Sequence, residues 1–370
     1  MHIRNISANN FRNLSFSDLP LSQGINILYG DNAQGKTNIL EAVYFCAIGR
    51  SPRADNNREL VRFGCSEAHV RAQVSRDDIS FVIDAHIQVA ESKSTKTLSV
   101  DRIVVKNTRE LFGRLMVVLF SPEDLRLIKS GPAERRRFMD IEICQLSPVY
   151  YSDLRDYHRA LKQRNQLLKI LRKDIRQKDS LYVWDEQLNI SGCRIMATRS
   201  AFIKKISEIA NEIHGHITEG KEALILMYQP NIIDPQHYRK AMEKSHERDI
   251  ACGTTSMGIH KDDILFTING IPARSFGSQG QQRTAALSAK LAEIEIMRGG
   301  AKSPPVLLLD DVLSELDGSR QRFLLTQIND LQTIITCTGL EDVLTRNVSG
   351  ANIIQVKDGE VFPVIQLQEE

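Results

Sequence analysis

No apolar run in this 370-residue sequence approaches the roughly 18–20 residues that span a bilayer, so no membrane-spanning helix is expected. The opening Met1-His2-Ile3-Arg4-Asn5 lacks the basic-then-apolar pattern of a secretory signal. Six cysteines are scattered with no C-x-x-C spacing. They are expected to be reduced thiols, most of them buried, in a cytoplasmic protein. Net charge is only +2, too little to argue for or against a nucleic-acid partner. What is present is ordinary: 42% apolar and 25% charged residues mark a globular chain long enough for two or three domains.

Charge is unevenly spread, however. Between Lys129 and Lys178 Lys and Arg outnumber Asp and Glu by thirteen to six. Such an excess suits a phosphate-backbone footprint, and equally a solvated helical arm.

The N-terminal stretch alternates as paired strands at Ile3–Ser7, Leu14–Ser17 and Ile25–Tyr29. A helix with an apolar face at Ile39, Leu40, Val43 and Ala47 follows a Gly-rich turn. Further strands are predicted at Ala68–Val74, Ile79–Gln88, Thr97–Val100 and Val117–Phe120, with Ser92–Thr97 as a hairpin tip. From Tyr151 the period changes: Leu154, Tyr157, Leu161, Arg164, Leu168, Leu171 and Ile175 make a heptad-like seam. Polar Gln177–Ser180 breaks it, and Trp184 to Ile213 resumes it. This predicts an antiparallel αα-hairpin, each helix under 30 residues or roughly 40 Å long, ended by Gly215–Gly220. Strands return at Leu224–Tyr228 and Ile264–Ile268, the latter closing on the turn Asn269-Gly270. The fold class expected is α/β, a head assembled from residues 1–120 and 246–370 with a mostly helical insertion at 121–245.

Gly30-Asp31-Asn32-Ala33-Gln34-Gly35-Lys36-Thr37 fits G-x-x-x-x-G-K-[ST], the phosphate-binding loop, between a strand and a helix as that loop requires. The two glycines let backbone N–H groups wrap a phosphate. Lys36 can reach the β- and γ-phosphates of a nucleotide, and Thr37 can offer its hydroxyl to Mg²⁺.

Val306–Leu309 is an apolar run suited to a central parallel strand, ending in Asp310 and Asp311. Asp310 is placed to hold Mg²⁺ or its water, and Asp311 to orient or deprotonate an attacking water. A third segment, Ser275 to Arg283, is a small Gly/Ser/Gln-rich loop opening a helix over Thr284–Met297. It is either a second phosphate-binding device, serving a neighbouring copy's nucleotide, or an ordinary helix start capped by Ser278.

The order of these motifs, with the loop Ser314-Glu315-Leu316-Asp317 after Asp311, resembles the ABC ATPases and more closely their SMC-like repair branch. The closer resemblance is to the bacterial RecF family. It spans the whole chain: Asn10–Asn13, Gly35–Ala42, Phe120–Leu125, Gly131-Pro132 with Arg135–Phe138, Gly258–Asp263, Ser278–Thr284 and Leu309–Asp317. It implies ATP and Mg²⁺ as cofactors, and Arg12, Asn13, Ser278, Gly280 and Gln281 as further nucleotide-binding residues. It also implies a head-to-tail ATP-dependent homodimer, in which Ser278 and Gly280 of one copy meet the nucleotide held by Lys36 of the other. Recombinational DNA repair follows from the same resemblance: binding to duplex DNA near single-strand gaps, cooperation with RecR and RecO, and aid to RecA loading.

Two departures stand out. Asp311 occupies a position where the wider ABC group has Glu, so slow hydrolysis is expected. The strand around Thr336-Cys337-Thr338 carries no His to act as a switch. Arg135, Arg136 and Arg137 are candidate DNA phosphate contacts, with a structural ion-pair cluster as the alternative. Arg50, Arg53 and Arg58 could line nucleotide or DNA, and His260 is expected to be structural. Among rival functions, a transporter ATPase subunit fits poorly with some 240 residues separating Thr37 from the Ser278 loop. A long-range tether would need longer arms, and a GTPase would need an Asn-Lys-x-Asp motif.

Overall fold

The computed structural model describes the chain except residues 78, 92, 301–302, 340–349 and 364–370 and the side chain of Gln177. It divides into two compact units, Met1–Asp124 with Met297–Glu370, and Leu125–Ile296.

The first unit opens with β1 (His2–Phe11), β2 (Leu14–Pro20) and β3 (Ile25–Tyr29), then α1 (Lys36–Ile48). It continues through β4 (Glu67–Arg76), β5 (Ile79–Val89), β6 (Ser94–Val100), β7 (Ile103–Val104) and β8 (Val117–Phe120). Antiparallel pairing orders one sheet β2-β1-β4-β5-β6-β7. Ala8, Val70, Ala85 and Leu98 form a buried row across it, next to the accessible row Asn9, His69, His86 and Thr97. That period-two alternation is what made these strands legible. Ser94–Thr97 belong to β6, not to a hairpin tip, because they pair with His86–Val89 of β5; Ser92 lies outside the described residues.

The second unit contains α2 (Arg126–Lys129), α3 (Pro132–Leu146), α4 (Pro148–Leu171), α5 (Leu181–Ile217), β9 (Leu224–Gln229) and α6 (Tyr238–Cys252). It ends with β10 (Asp263–Ile268), β11 (Ile271–Pro272), α7 (Ala273–Phe276) and most of α8 (Gln279–Gly300). Pro at the first turn starts both α3 and α4, where its missing N–H costs nothing. Leu168, Leu171 and Leu181 close the α4–α5 hairpin near its link. α4 stops at Leu171 rather than Ile175, since Asp174 accepts from Arg176 N and starts a separate 3₁₀ turn. α5 has 37 residues, about 55 Å, longer than expected because its buried seam runs from Leu181 to His214.

Arg164, counted in the apolar seam from its spacing, is fully buried and bonded to Asp185 (2.6 Å), Asp249 (2.7 Å) and Thr255 Oγ1 (2.9 Å). It ties α4 to α5 and α6. The boundary expected at 245/246 falls inside α6 and is corrected to 296/297. The physical reasons are local. β10 pairs with β9 from Asp263 to Ile268, and Asp263 is held by Arg135 of α3.

The first unit resumes with β12 (Val306–Asp310), α9 (Gly318–Gln327), β13 (Thr333–Cys337), β14 (Asn352–Lys357) and β15 (Glu360–Pro363). Its second sheet runs β15-β14-β3-β13-β12-β8, parallel except for β15. α1 packs against strands of both sheets, so Lys36 and Glu41 are buried along with its apolar residues. The one-sided apolar face expected for α1 is therefore incomplete: the helix is covered all round. Of the cysteines Cys46, Cys144 and Cys337 are buried, half rather than most.

Replacing Arg164 by Ala removes the buried cation that Asp185 and Asp249 share, leaving Asp185 to His246 Nε2 (2.6 Å) and Asp249 to Ser245 and Ser256, and should cost about 3–5 kcal/mol of stability. Urea unfolding of the variant should show an earlier midpoint; an unchanged midpoint would mean that other groups neutralise Asp185 and Asp249.

Candidate nucleotide site

β3 hands the chain to a loop, residues 30–35, that turns into α1. Gly30 has φ 153° and Gly35 φ 112°. A Cβ on Gly30 would lie 2.2 Å from Val356 O, and one on Gly35 2.9 Å from Asn13 Oδ1, so both positions require glycine. The loop is braced from outside. Asn13 Nδ2 donates to Ala33 O (3.1 Å), Gly359 N to Gln34 O (3.0 Å) and Asp358 N to Gln34 Oε1 (2.5 Å). Asp31 and Asn32 are exposed on its crest. Gly35 supplies no side-chain cap, which leaves the first-turn N–H groups of α1 to an anion. Lys36 Nζ lies within the loop, donating to Gly30 O (2.6 Å) and Asp31 O (2.8 Å).

β13 lies between β3 and β12, with Thr336 in register with both Leu28 and Asp310. Asp310 Oδ1 accepts from Thr37 Oγ1 at 2.7 Å and from Thr336 Oγ1 at 3.0 Å. Asp311 N donates to Thr336 Oγ1 at 2.9 Å. Burial raises the pKa of Asp310, and the Thr37 and Thr336 hydrogen bonds offset part of that rise. Asp311 is left-handed at φ 51°, turning the chain out of β12, and its carbonyl accepts from Ser314 Oγ (2.7 Å). Thr37 and Asp310 thus present hard oxygen donors side by side. That suits Mg²⁺, which takes one or two protein ligands and completes its shell with water and phosphate.

Behind the loop, Glu41 is buried and collects the surrounding donors. Arg12 grips it with Nε (2.9 Å) and Nη2 (2.8 Å), Arg53 Nη2 donates at 2.6 Å, and the Ser51 hydroxyl also donates to it. Arg12 Nη1 goes to Glu59 O (2.9 Å), so all three Arg12 nitrogens are engaged away from the loop. Arg53 also reaches Asn38 Oδ1 (2.7 Å), whose Nδ2 donates to Asn13 Oδ1 (2.7 Å). Burial pushes the Glu41 carboxyl up, but bonds from Arg12, Ser51 and Arg53 outweigh it and hold the pKa below the ordinary Glu value. Glu41 and Ser51 have no role assigned from the sequence, and Thr336 is named there without one; a carboxylate inside the apolar run after Lys36 is the available signal for Glu41.

The Ser278 loop belongs to the second unit. Ser278 N donates to Gln281 Oε1 (2.9 Å) and Gln281 N to Ser278 Oγ (3.2 Å), a reciprocal capping box that starts α8. Gln281 Nε2 is anchored on Glu222 (2.8 Å) and Gln282 Nε2 on Ala273 O (2.9 Å). Ser278 and Gly280 remain exposed, with no neighbour closer than Ser278 Oγ at 3.9 Å to a Cβ placed on Gly280.

Residues 2–360 match the model of the RecF/RecN/SMC N-terminal domain. The chain is 46% identical to the DNA replication and repair protein RecF of Lachnoclostridium phytofermentans, over 98% of this chain and 99% of that one. It is 43% identical to its counterpart from Clostridium botulinum over 93% and 94%. The chain belongs to the RecF family. A solved structure described as the recombination mediator protein RecF-ATP in the RecFOR pathway superposes with TM-score 0.91 at 34% identity, covering 98% of each chain. The Smc head domain of Pyrococcus furiosus shares the fold at TM-score 0.56 and 16% identity, over 98% and 96%. An ABC/SMC-type ATPase head is therefore the fold of this RecF-family chain.

Within two RecF-like segments, Arg135 and the Gly258–His260 stretch are held in structural networks. Arg135 is buried and spends its guanidinium on Asp263 (2.6 and 3.0 Å), Leu127 O and Ser130 O, so it is withdrawn as a DNA contact. Arg136 Nη1 donates to Asp262 O (2.8 Å), and Arg137 is exposed. Gly258 has φ 127° and fits beneath Tyr157, whose hydroxyl would lie 2.3 Å from a Cβ there. His260 Nε2 bonds Thr255 O (3.1 Å) and Nδ1 meets the Tyr157 hydroxyl (2.9 Å). Burial pushes its pKa down to about 4, so it stays neutral in a structural role.

Because Glu41 has a depressed folded-state pKa, its contribution is present above the ordinary Glu pKa and is lost as pH falls through the folded value. Wild type should therefore lose stability below about pH 4.5 more steeply than Glu41→Gln. Parallel acid slopes in urea titrations would reject this.

Proposed function

We propose that the chain is an ATP-dependent DNA-binding protein of recombinational repair and replication maintenance, with ATP hydrolysis used as a switch. The observation that carries the reading is the Thr37–Asp310 hydrogen bond. It joins the phosphate-binding loop to the acidic end of β12 in a RecF-family chain. On this reading the N–H groups of residues 31–37 and the Lys36 ammonium hold the phosphates, exchanging the loop carbonyls for a stronger anionic partner. Thr37 and Asp310 hold Mg²⁺. Arg12 acts by bracing Glu41, and Asn13 by bracing the loop at Ala33. Asp311 accepts the proton of the attacking water, and its short side chain makes turnover slow.

Ser278, Gly280 and Gln281 contact the nucleotide of a second copy, which supports dimerisation on ATP and release on hydrolysis. The exposure of Ser278 and Gly280 on a capped helix start supports that role. The partners proposed are duplex DNA near single-strand gaps, RecR with RecO, and indirectly RecA. Arg136 and Arg137 are retained as candidate DNA contacts. Among the described residues no helix is long and apolar enough to cross a membrane.

Lys36→Ala should abolish ATP binding, whereas Ser278→Ala should bind ATP yet stay monomeric in sedimentation with ATP. A normal ATP dimer from Ser278→Ala would sink the shared-site reading. DNA affinity should fall about 10³–10⁵-fold between 50 and 200 mM salt if six to ten phosphates are contacted. A flat salt dependence measured by anisotropy would reject backbone contact.

A further inference from the structure

The outer face of the antiparallel sheet carries a feature that the nucleotide site does not use. A cleft of ≈ 310 Å³ lies there, lined by Asn9, Asn10, Glu67, Ala68, His69 and His86. Asn9, His69 and His86 stand in one register row, since Asn9 pairs with His69 and His69 with His86. The same row continues to Phe16 of β2, which pairs with Asn9 and is 63% exposed. On another side the chain from the cleft-lining Asn10 meets a tight turn. Arg62 N donates to Asn10 O (2.8 Å), and Cys65 N donates back to Arg62 O (3.0 Å). Phe63 sits on that turn, 104% exposed, with Arg62 exposed beside it.

Phe63 is wholly exposed, so both faces of its ring are open to a stacking partner. Phe16 pairs with the cleft-lining Asn9, and the turn carrying Arg62 and Phe63 is hydrogen-bonded to the cleft-lining Asn10. Aromatic residues on an open sheet stack nucleobases, and amide, imidazole and carboxylate groups bond their edges. Glu67 accepts from His86 Nε2 (3.0 Å) and has a second oxygen for an exocyclic amino group. His69 Nε2 stands 3.4 Å from Asp84, which is itself held by Arg71 (2.6 Å).

We propose that this cleft binds an unpaired nucleotide of DNA, stacking the base on Phe63 and Phe16 and bonding its edge through Asn9, His69 and Glu67. The proposal rests on the DNA-binding reading above and deepens it: it names a surface that distinguishes the single-stranded part of a gap from the duplex beside it.

The test compares a fluorescent gapped duplex with a blunt duplex of the same length, using the full chain with ATP. Phe63→Ala and Phe16→Ala should each weaken gapped-duplex binding about tenfold and leave blunt-duplex binding unchanged. Equal loss on both DNAs, or no loss on the gapped one, overturns the proposal while leaving DNA binding intact. Wild type that binds neither DNA overturns the DNA reading and the cleft with it. Both variants are surface changes, and retained ATP binding reports that they are folded. As an independent readout, 5-iododeoxyuridine in the gap should photo-cross-link to the peptides carrying Phe16 or Phe63; cross-links confined to other peptides overturn the assignment.

Discussion

Asp310 Oδ1 accepts one hydrogen bond from Thr37 at the end of the phosphate loop and another from Thr336 on the strand between. Thr37 and Asp310 are 273 residues apart in sequence, so this one oxygen ties together two segments that are distant along the chain. The parallel register β3-β13-β12 makes the meeting possible, because it brings the carboxyl ends of the strands to one edge of the sheet. Removing either hydroxyl would leave a half-buried carboxylate less solvated, and burial already raises its pKa.

The same economy governs the other buried charges. Glu41 carries Arg12, Arg53 and Ser51; Arg164 carries Asp185 and Asp249; Arg199 carries Asp140 and Asp262. None of these ions is stable alone in a low-dielectric interior, and each becomes tolerable only with its full set of partners. They therefore behave as geometric locks. Glu41 sets the back of the phosphate loop, and Arg199 fixes the Gly258–Asp263 segment through Asp262 and Ile259 O. The residues behind the phosphate loop thus hold it through Glu41.

Much of the fold was legible because period and punctuation were strong. Alternation marked β1, β4 and β5, a heptad rhythm marked the α4–α5 hairpin, and glycines bounded the phosphate loop. What failed has a common cause. Arg164 has the spacing of a core residue, and Arg135 the look of a phosphate contact, until their carboxylate partners are known. Asp263 lies 128 residues from Arg135, and no local pattern announces such a pair. The second domain boundary was misplaced for the same reason, since β10 joins β9 by long-range pairing.

The sequence by itself determined the chemistry available: a glycine-framed loop with Lys36 and Thr37, an acidic strand end, and a Ser-x-x-Gln helix start. These are local arrangements, set by backbone freedom, capping and apolar runs. The tertiary structure alone decided the partnerships. It brought Thr37 and Thr336 to the same oxygen of Asp310, spent Arg135 on Asp263, and left Phe63 in water. Those outcomes depend on which distant groups share a low-dielectric neighbourhood, and that is settled only when strands and helices pack.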